Sequence, residues 1–159
     1  MAKAIRDAIN ALELLVSISS DYSDIIADSA NNVIVFTTDY IDLYQESLAA
    51  SGGYSISFSS NSTGTYSTGA EVTLSKEGCA DITYAVAVLG DIDGNGKSDA
   101  NDAFLTQMYA VGLLEPVHSV YAVAADANCD GIIDANDSLL IQESAIFNNM
   151  IFNDYVPGE

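Results

Sequence analysis

Asp91-Ile92-Asp93-Gly94-Asn95-Gly96-Lys97-Ser98-Asp99-Ala100-Asn101-Asp102 returns, 35 residues later, as Asp126-Ala127-Asn128-Cys129-Asp130-Gly131-Ile132-Ile133-Asp134-Ala135-Asn136-Asp137. Both stretches carry an oxygen-donor side chain at positions 1, 3, 5, 9 and 12 and a glycine at position 6. Ca²⁺ takes about 6–8 oxygens at roughly 2.3–2.6 Å, and a twelve-residue loop of this spacing supplies them. The pattern assigns Asp91, Asp93 and Asn95 as side-chain ligands, the carbonyl of Lys97 at position 7, Asp99 through a water, and Asp102 as a bidentate ligand. In the second loop the equivalents are Asp126, Asn128, Asp130, the Ile132 carbonyl, Asp134 and Asp137. Two Ca²⁺ ions are therefore expected. Gly96 and Gly131 serve the sharp turn at position 6. Metal-free surface turns also favour Asp, Asn and Gly, but a turn does not require an acid at a fixed twelfth position. Mg²⁺ fits less well, because it demands near-octahedral geometry and keeps its waters.

The repeat runs past the loops. Aligned from Asp91 and Asp126, nine of the first twenty positions are identical, among them Leu105/Leu140, Gln107/Gln142 and Ala110/Ala145. Asp99 and Asp134 are placed to cap helices, with Asp102 and Asp137 three residues on. Phe104, Leu105, Met108 and Val111 form an apolar stripe on the first helix; Leu139, Leu140 and Ile146 form its counterpart. Gly112 ends the first helix, and residues 119–123 suit a short middle helix.

Upstream, the spacing of Ile5, Ala8, Ile9, Leu12, Leu15 and Val16 predicts an amphipathic helix over 3–18. Val33 to Phe36 reads as a buried strand. A helix beginning near Thr38 or Asp39 carries Ile41, Tyr44 and Leu48 and stops at Gly52-Gly53. Tyr54-Ile56-Phe58, Ala70-Val72-Leu74 and Ile82-Tyr84-Val86-Val88 alternate with polar or small residues, as strands do. Asn61 to Gly69 is a polar, turn-rich segment. Only Leu89-Gly90 separates the last strand from Asp91, so the halves are expected to be rigidly coupled. The organisation expected is an α+β module over 1–89, a second module over 90–152 and a tail over 153–159.

Composition narrows function. The chain has 159 residues, 23 acidic against 4 basic, net charge −19. Nucleic-acid binding needs Lys and Arg facing phosphates, and anionic membranes need the same. No stretch of 18 apolar residues predicts a transmembrane helix. Residues 8–18 are apolar but interrupted by Asn10 and Glu13, and do not read as a signal peptide. Cys79 and Cys129 are too few for a disulfide framework. The single histidine, His118, has no nucleophile partner in view, so no enzyme activity is expected. Tyr40, Tyr44, Tyr54 and Tyr66 leave a carbohydrate-binding role for the first half as an alternative.

Two features depart from calcium-sensor loops: Asp rather than Glu at position 12, and a strand rather than a helix before the first loop. With the duplication and its spacer, residues 89–152 resemble a dockerin, the calcium-dependent module that binds a cohesin in cellulosome-type assemblies. The resemblance implies an all-α dockerin of two loop–helix repeats, known as F-hands. It implies partner contacts at loop positions 10 and 11, here Ala100-Asn101 and Ala135-Asn136. Contacts would continue along the helices at Phe104, Leu105, Gln107 and Met108, and at Leu139, Leu140, Gln142 and Glu143. Phe104 is expected to serve the internal core more than the contact. Many dockerins carry Ser-Thr at positions 10 and 11; this chain does not, which argues against that specificity group. The identical Ala-Asn pairs would permit two binding orientations, while Met108/Glu143 and Tyr109/Ser144 favour one face. The first half resembles an X-module, which stiffens an adjoining dockerin. The setting implied is extracellular, in a polysaccharide-degrading complex.

Overall fold

The structure is a computed structural model and describes residues 25–28, 31–37, 48, 50, 53–116 and 118–147. The helix expected over 3–18 and the tail after 152 lie outside the described residues, as does the helix expected from Thr38 onward apart from Leu48, which is buried in the main core, and Ala50. Five strands, β1 (Ile25–Asp28), β2 (Val33–Phe36), β3 (Ser55–Ser59), β4 (Glu71–Ser75) and β5 (Ile82–Val88), form one sheet in the order β1-β2-β5-β4-β3. Three helices follow: α1 (Ala100–Ala110), α2 (Ser119–Ala125) and α3 (Ala135–Phe147).

The sheet is mixed. β2 and β5 run parallel with Val33 opposite Ala85 and Phe36 opposite Val88, while the other neighbours are antiparallel. All four residues of β2 are buried, the signature of a strand covered on both faces. On one face Ile34, Phe36, Val72, Leu74, Tyr84, Val86 and Val88 gather into the main core. On the other, Val33, Val35, Ala87 and Leu89 are sealed by Val120 of α2, with Tyr121 and Val123 alongside. β3 ends the sheet with exposed serines alternating with half-buried Ile56 and Phe58.

α1 and α3 pack on each other around Ile92, Ala103, Ala125, Ala127 and Ile141. Small residues let the backbones approach: the Ser138 hydroxyl donates to the Ala103 carbonyl at 2.8 Å. Ile141 is buried there with Leu105, Tyr109 and Leu140 against it, while two other large apolar residues face outward. Phe104 is 55% exposed and Leu139 54%.

The expected fold class needs correction. The described residues are a five-stranded sheet with three helices, not an all-α dockerin of two loop–helix repeats; the expected mainly antiparallel strands are present, with β2 and β5 the parallel exception. Burial is the physical reason. Without α2, one face of β2 and β5 would leave Val33, Val35, Ala87 and Leu89 in water, so this helix belongs to the sheet's second layer. The Gly90 N–H donates to the Ala124 carbonyl at 2.8 Å, tying α2 to the end of β5.

Candidate metal centre

β5 leads into the first loop through Leu89-Gly90. Gly90 takes a φ of 85°, which glycine adopts without strain. The Asp91 N–H returns to the Val88 carbonyl at 3.0 Å, and this turn drives the Asp91 side chain inward. Asp91 is 0% exposed. Its Oδ2 accepts from the Thr68 N–H at 3.2 Å, and its Oδ1 is buried with no hydrogen-bond partner. Burial pushes the carboxyl up to about 6; the Thr68 and Gly96 N–H groups and the Ser67 hydroxyl oppose this, and the Asp93 charge adds to it.

Asp102 closes the loop from the start of α1. Its Oδ1 accepts from the Ile92 N–H at 2.8 Å and the Asp93 N–H at 3.0 Å. Its Oδ2 accepts from the Asp99 N–H at 2.9 Å, while Asp99 caps the Asn101 N–H, a reciprocal capping box. Burial still pushes Asp102 up to about 7, with the Asp93 charge adding to it. Carboxylate oxygens of Asp91, Asp93 and Asp102 lie within 4.8 Å of one another. A divalent cation fits this donor set. Two of the three carboxyls are driven toward their neutral form by desolvation, and the orphaned Asp91 Oδ1 lacks a donor that a cation would replace.

The remaining expected ligands of this loop are held by local turns. Asp93 Oδ1 accepts from the Asn95 N–H at 2.9 Å, and its Oδ2 from Asn101 Nδ2 at 2.8 Å. Asn95 Oδ1 accepts from the Lys97 N–H at 2.9 Å. Lys97 is exposed.

The second loop repeats this lattice at the same offsets. Asn128 Oδ1 accepts from the Asp130 N–H, Asp130 Oδ1 from the Ile132 N–H, and Asp134 Oδ1 from the Asn136 N–H. Asp137, fully buried, accepts from the Asn128 N–H at 3.0 Å and the Asp134 N–H at 2.8 Å. Asp126 differs from its counterpart. It is half-buried, and its oxygens accept from Asp130 and Gly131 N–H groups inside the loop. Its carboxyl is raised by burial, with the Asp137 and Asp130 charges adding to this.

The expected partner-binding residues fall into two groups. Ala100, Asn101, Phe104, Gln107, Ala135, Asn136, Leu139, Gln142 and Glu143 are exposed, and Met108 is half-exposed. Leu105 and Leu140 pack against the α1–α3 core instead. The expectation that Phe104 serves the core is reversed: the small face of α1, with Ala103 and Thr106, is the one buried. Of the aromatic candidates for a sugar platform, Tyr40 and Tyr44 lie outside the described residues. Tyr54 has Lys76 Nζ at 5.3 Å from its ring centroid, and Tyr66 is exposed. His118 caps α2 by accepting from the Val120 N–H through Nδ1. Cys79 is exposed and Cys129 half-buried, and neither is in a disulfide.

Sequence reading passed over Asn61, Thr63, Thr65, Ser67 and Thr68, which bond the first loop through Gly94 and Asp91. The available signal is the density of side-chain donors from 61 to 68, broken only by Gly64.

No protein-family profile and no curated protein matches the chain. A solved structure from Acetivibrio cellulolyticus is similar over 42% of this chain and 93% of its own, at 31% identity and a TM-score of 0.39. It is described as the third cohesin of ScaC in complex with the ScaB dockerin, mutated in the N-terminal helix and displaying a type I interaction. Among the described residues no helix is long and apolar enough to cross a membrane.

Proposed function

We propose that this chain is a non-catalytic, calcium-dependent docking protein. Its two loops hold two Ca²⁺, and the outward faces of α1 and α3 bind a cohesin-type partner in an extracellular, polysaccharide-degrading assembly. The observation that carries the calcium reading is the convergence of Asp91, Asp93 and Asp102, with one Asp91 oxygen buried and lacking any donor. Three like charges at this range repel in a desolvated pocket, and a hard divalent cation turns that repulsion into attraction. Asp126, Asn128, Asp130 and Asp137 would hold the second ion.

The docking reading draws on where the duplication leaves its large apolar residues. Phe104 and Leu139 are 35 residues apart and equally exposed, and Val111 and Ile146 repeat this at 67% and 68%. Interface energy concentrates in a few such anchors. Ala100-Asn101 and Ala135-Asn136 flank them at the helix starts. The X-module resemblance of the first half supports a stiffening role for the sheet.

Titration calorimetry with Ca²⁺ should find two bound ions. A binding screen against cohesins should then give a complex that disappears in excess EDTA. A complex of undiminished affinity after complete chelation would reject the calcium-dependent reading.

A further inference from the structure

Loop one is held from outside itself. The Gly94 carbonyl, at position 4 of the loop, accepts from Asn61 Nδ2 at 2.7 Å, Thr65 Oγ1 at 2.6 Å, Ser67 Oγ at 2.6 Å and Thr63 Oγ1 at 3.1 Å. Asn61 is itself fixed. Its Oδ1 accepts from the Thr63 and Thr65 N–H groups, and its Nδ2 also donates to the Thr68 carbonyl at 2.8 Å. The Thr68 N–H then reaches Asp91 at position 1. One short segment, 61–68, thus grips loop one at two points. It is buried where it matters, since Asn61, Ser67 and Thr68 are all buried.

The fit is close enough to dictate composition. Gly94 has a φ of 73°, and a Cβ there would stand 2.8 Å from both Asn61 Nδ2 and the Thr68 carbonyl oxygen. Position 4 of loop two is Cys129, whose φ is 57°; its thiol sits 3.7 Å from the Asp126 carbonyl of its own loop, and its side chain packs against the Val33, Val35 and Val120 cluster, where Gly94 instead meets a fan of polar donors. The hydrogen bonds described for the loop-two ligands stay within that loop and the start of α3.

We infer that segment 61–68 is a positioning clamp that makes the two loops unequal: loop one holds its calcium more tightly and releases it more slowly than loop two. The inference rests on the calcium reading above. Rigidity of the site is one of the factors that set calcium affinity, and groups behind the ligands orient them. A loop already held in its binding shape gives up less conformational freedom when the ion arrives. Asn61, Thr63, Thr65 and Ser67 act through Gly94 and the loop backbone, and are positioning residues.

The test is calcium release from the full chain, followed by rapid mixing with a fluorescent chelator. Two phases are expected. Asp102→Ala should remove the slow one and Asp137→Ala the fast one. Thr65→Val deletes one hydroxyl bond to Gly94 at nearly constant volume. It should speed the slow phase about fivefold, the worth of a net hydrogen bond, and leave the fast phase unchanged. Thr65→Ser should restore the slow phase. Asn61→Ala should speed it further, with circular dichroism confirming that the fold is kept. Equal release from both loops, a slower loop two, or a slow phase indifferent to both Thr65→Val and Ser67→Ala would overturn the clamp while leaving calcium binding intact. Absence of any bound calcium would instead overturn the functional reading on which the clamp rests.

Discussion

Loops one and two share their donor pattern, their glycine at position 6 and their chain of turn bonds, yet they are embedded differently. Asp91 is sunk against Thr68 at the end of β5, with one oxygen lacking a donor, whereas Asp126 is half-buried and spends both oxygens on its own loop. A ligand pattern therefore specifies which atoms can meet a cation. How firmly they are held is decided by whatever packs behind the loop: among the described residues, a polar segment about thirty residues upstream for loop one, and an apolar contact of Cys129 with the second layer for loop two.

Removing calcium is the harshest way to break the comparison. In excess EDTA the segment 90–147 should lose most of its helical signal by circular dichroism, and partner binding should vanish, because ion-binding energy in small sites is folding energy. If the clamp acts, residues near Asp91 should stay protected from hydrogen exchange longer than those near Asp126.

Position 4 gives the next largest contrast. Gly94→Ala places a Cβ into Asn61 and Thr68 at a positive φ, and should destabilise the protein by about 2–3 kcal/mol in urea melts. Cys129→Gly relieves a positive φ but removes a side chain packed against the Val33, Val35 and Val120 cluster, so its effect should stay below that of Gly94→Ala.

Acidity separates the loops more gently. Asp91 and Asp102 are lifted to about 6 and about 7, above the ~3.9 of an unfolded aspartate. Folding therefore takes up protons, so the calcium-free protein should be most stable near pH 4 and lose stability as pH rises to about 7. Urea melts at both ends of that range should show the slope, and saturating calcium should abolish it. Asp91→Asn should flatten it more than Asp126→Asn. The smallest effect on stability is at the outer face. Phe104→Ser should shift unfolding by no more than about 0.5 kcal/mol, yet weaken cohesin binding roughly tenfold if Phe104 is an anchor.

What could be read in the chain follows from the range of the interaction that encodes it. The twelve-residue spacing and the capping aspartates are local, and alternation at Ile56-Phe58, Val72-Leu74 and Tyr84-Val86-Val88 marks strands at once. The parallel pairing of β2 with β5 joins residues some fifty positions apart, and nothing local announces it. The second layer was missed for the same reason. Val120 and Ala124 of α2 resemble any short helix until the uncovered face of β2 is counted. The apolar stripe of α1 sends Leu105 inward but not Phe104, because Ala103, bonded to Ser138 and packed with Ile141, allows a closer contact between helices than Phe104 would. The grip of Asn61 on Gly94 has no local signature beyond a run of side-chain donors broken only by Gly64.

Cys129 gives the molecule a clock of its own. Its thiol lies half-buried inside loop two while Cys79 stands exposed after β4, and neither is in a disulfide. In a mixture with an alkylating reagent Cys79 reacts at a rate set by solvent, and Cys129 at a rate set by how often its loop opens. The ratio of the two rates reports the openings of loop two in the native sequence, with no residue to change.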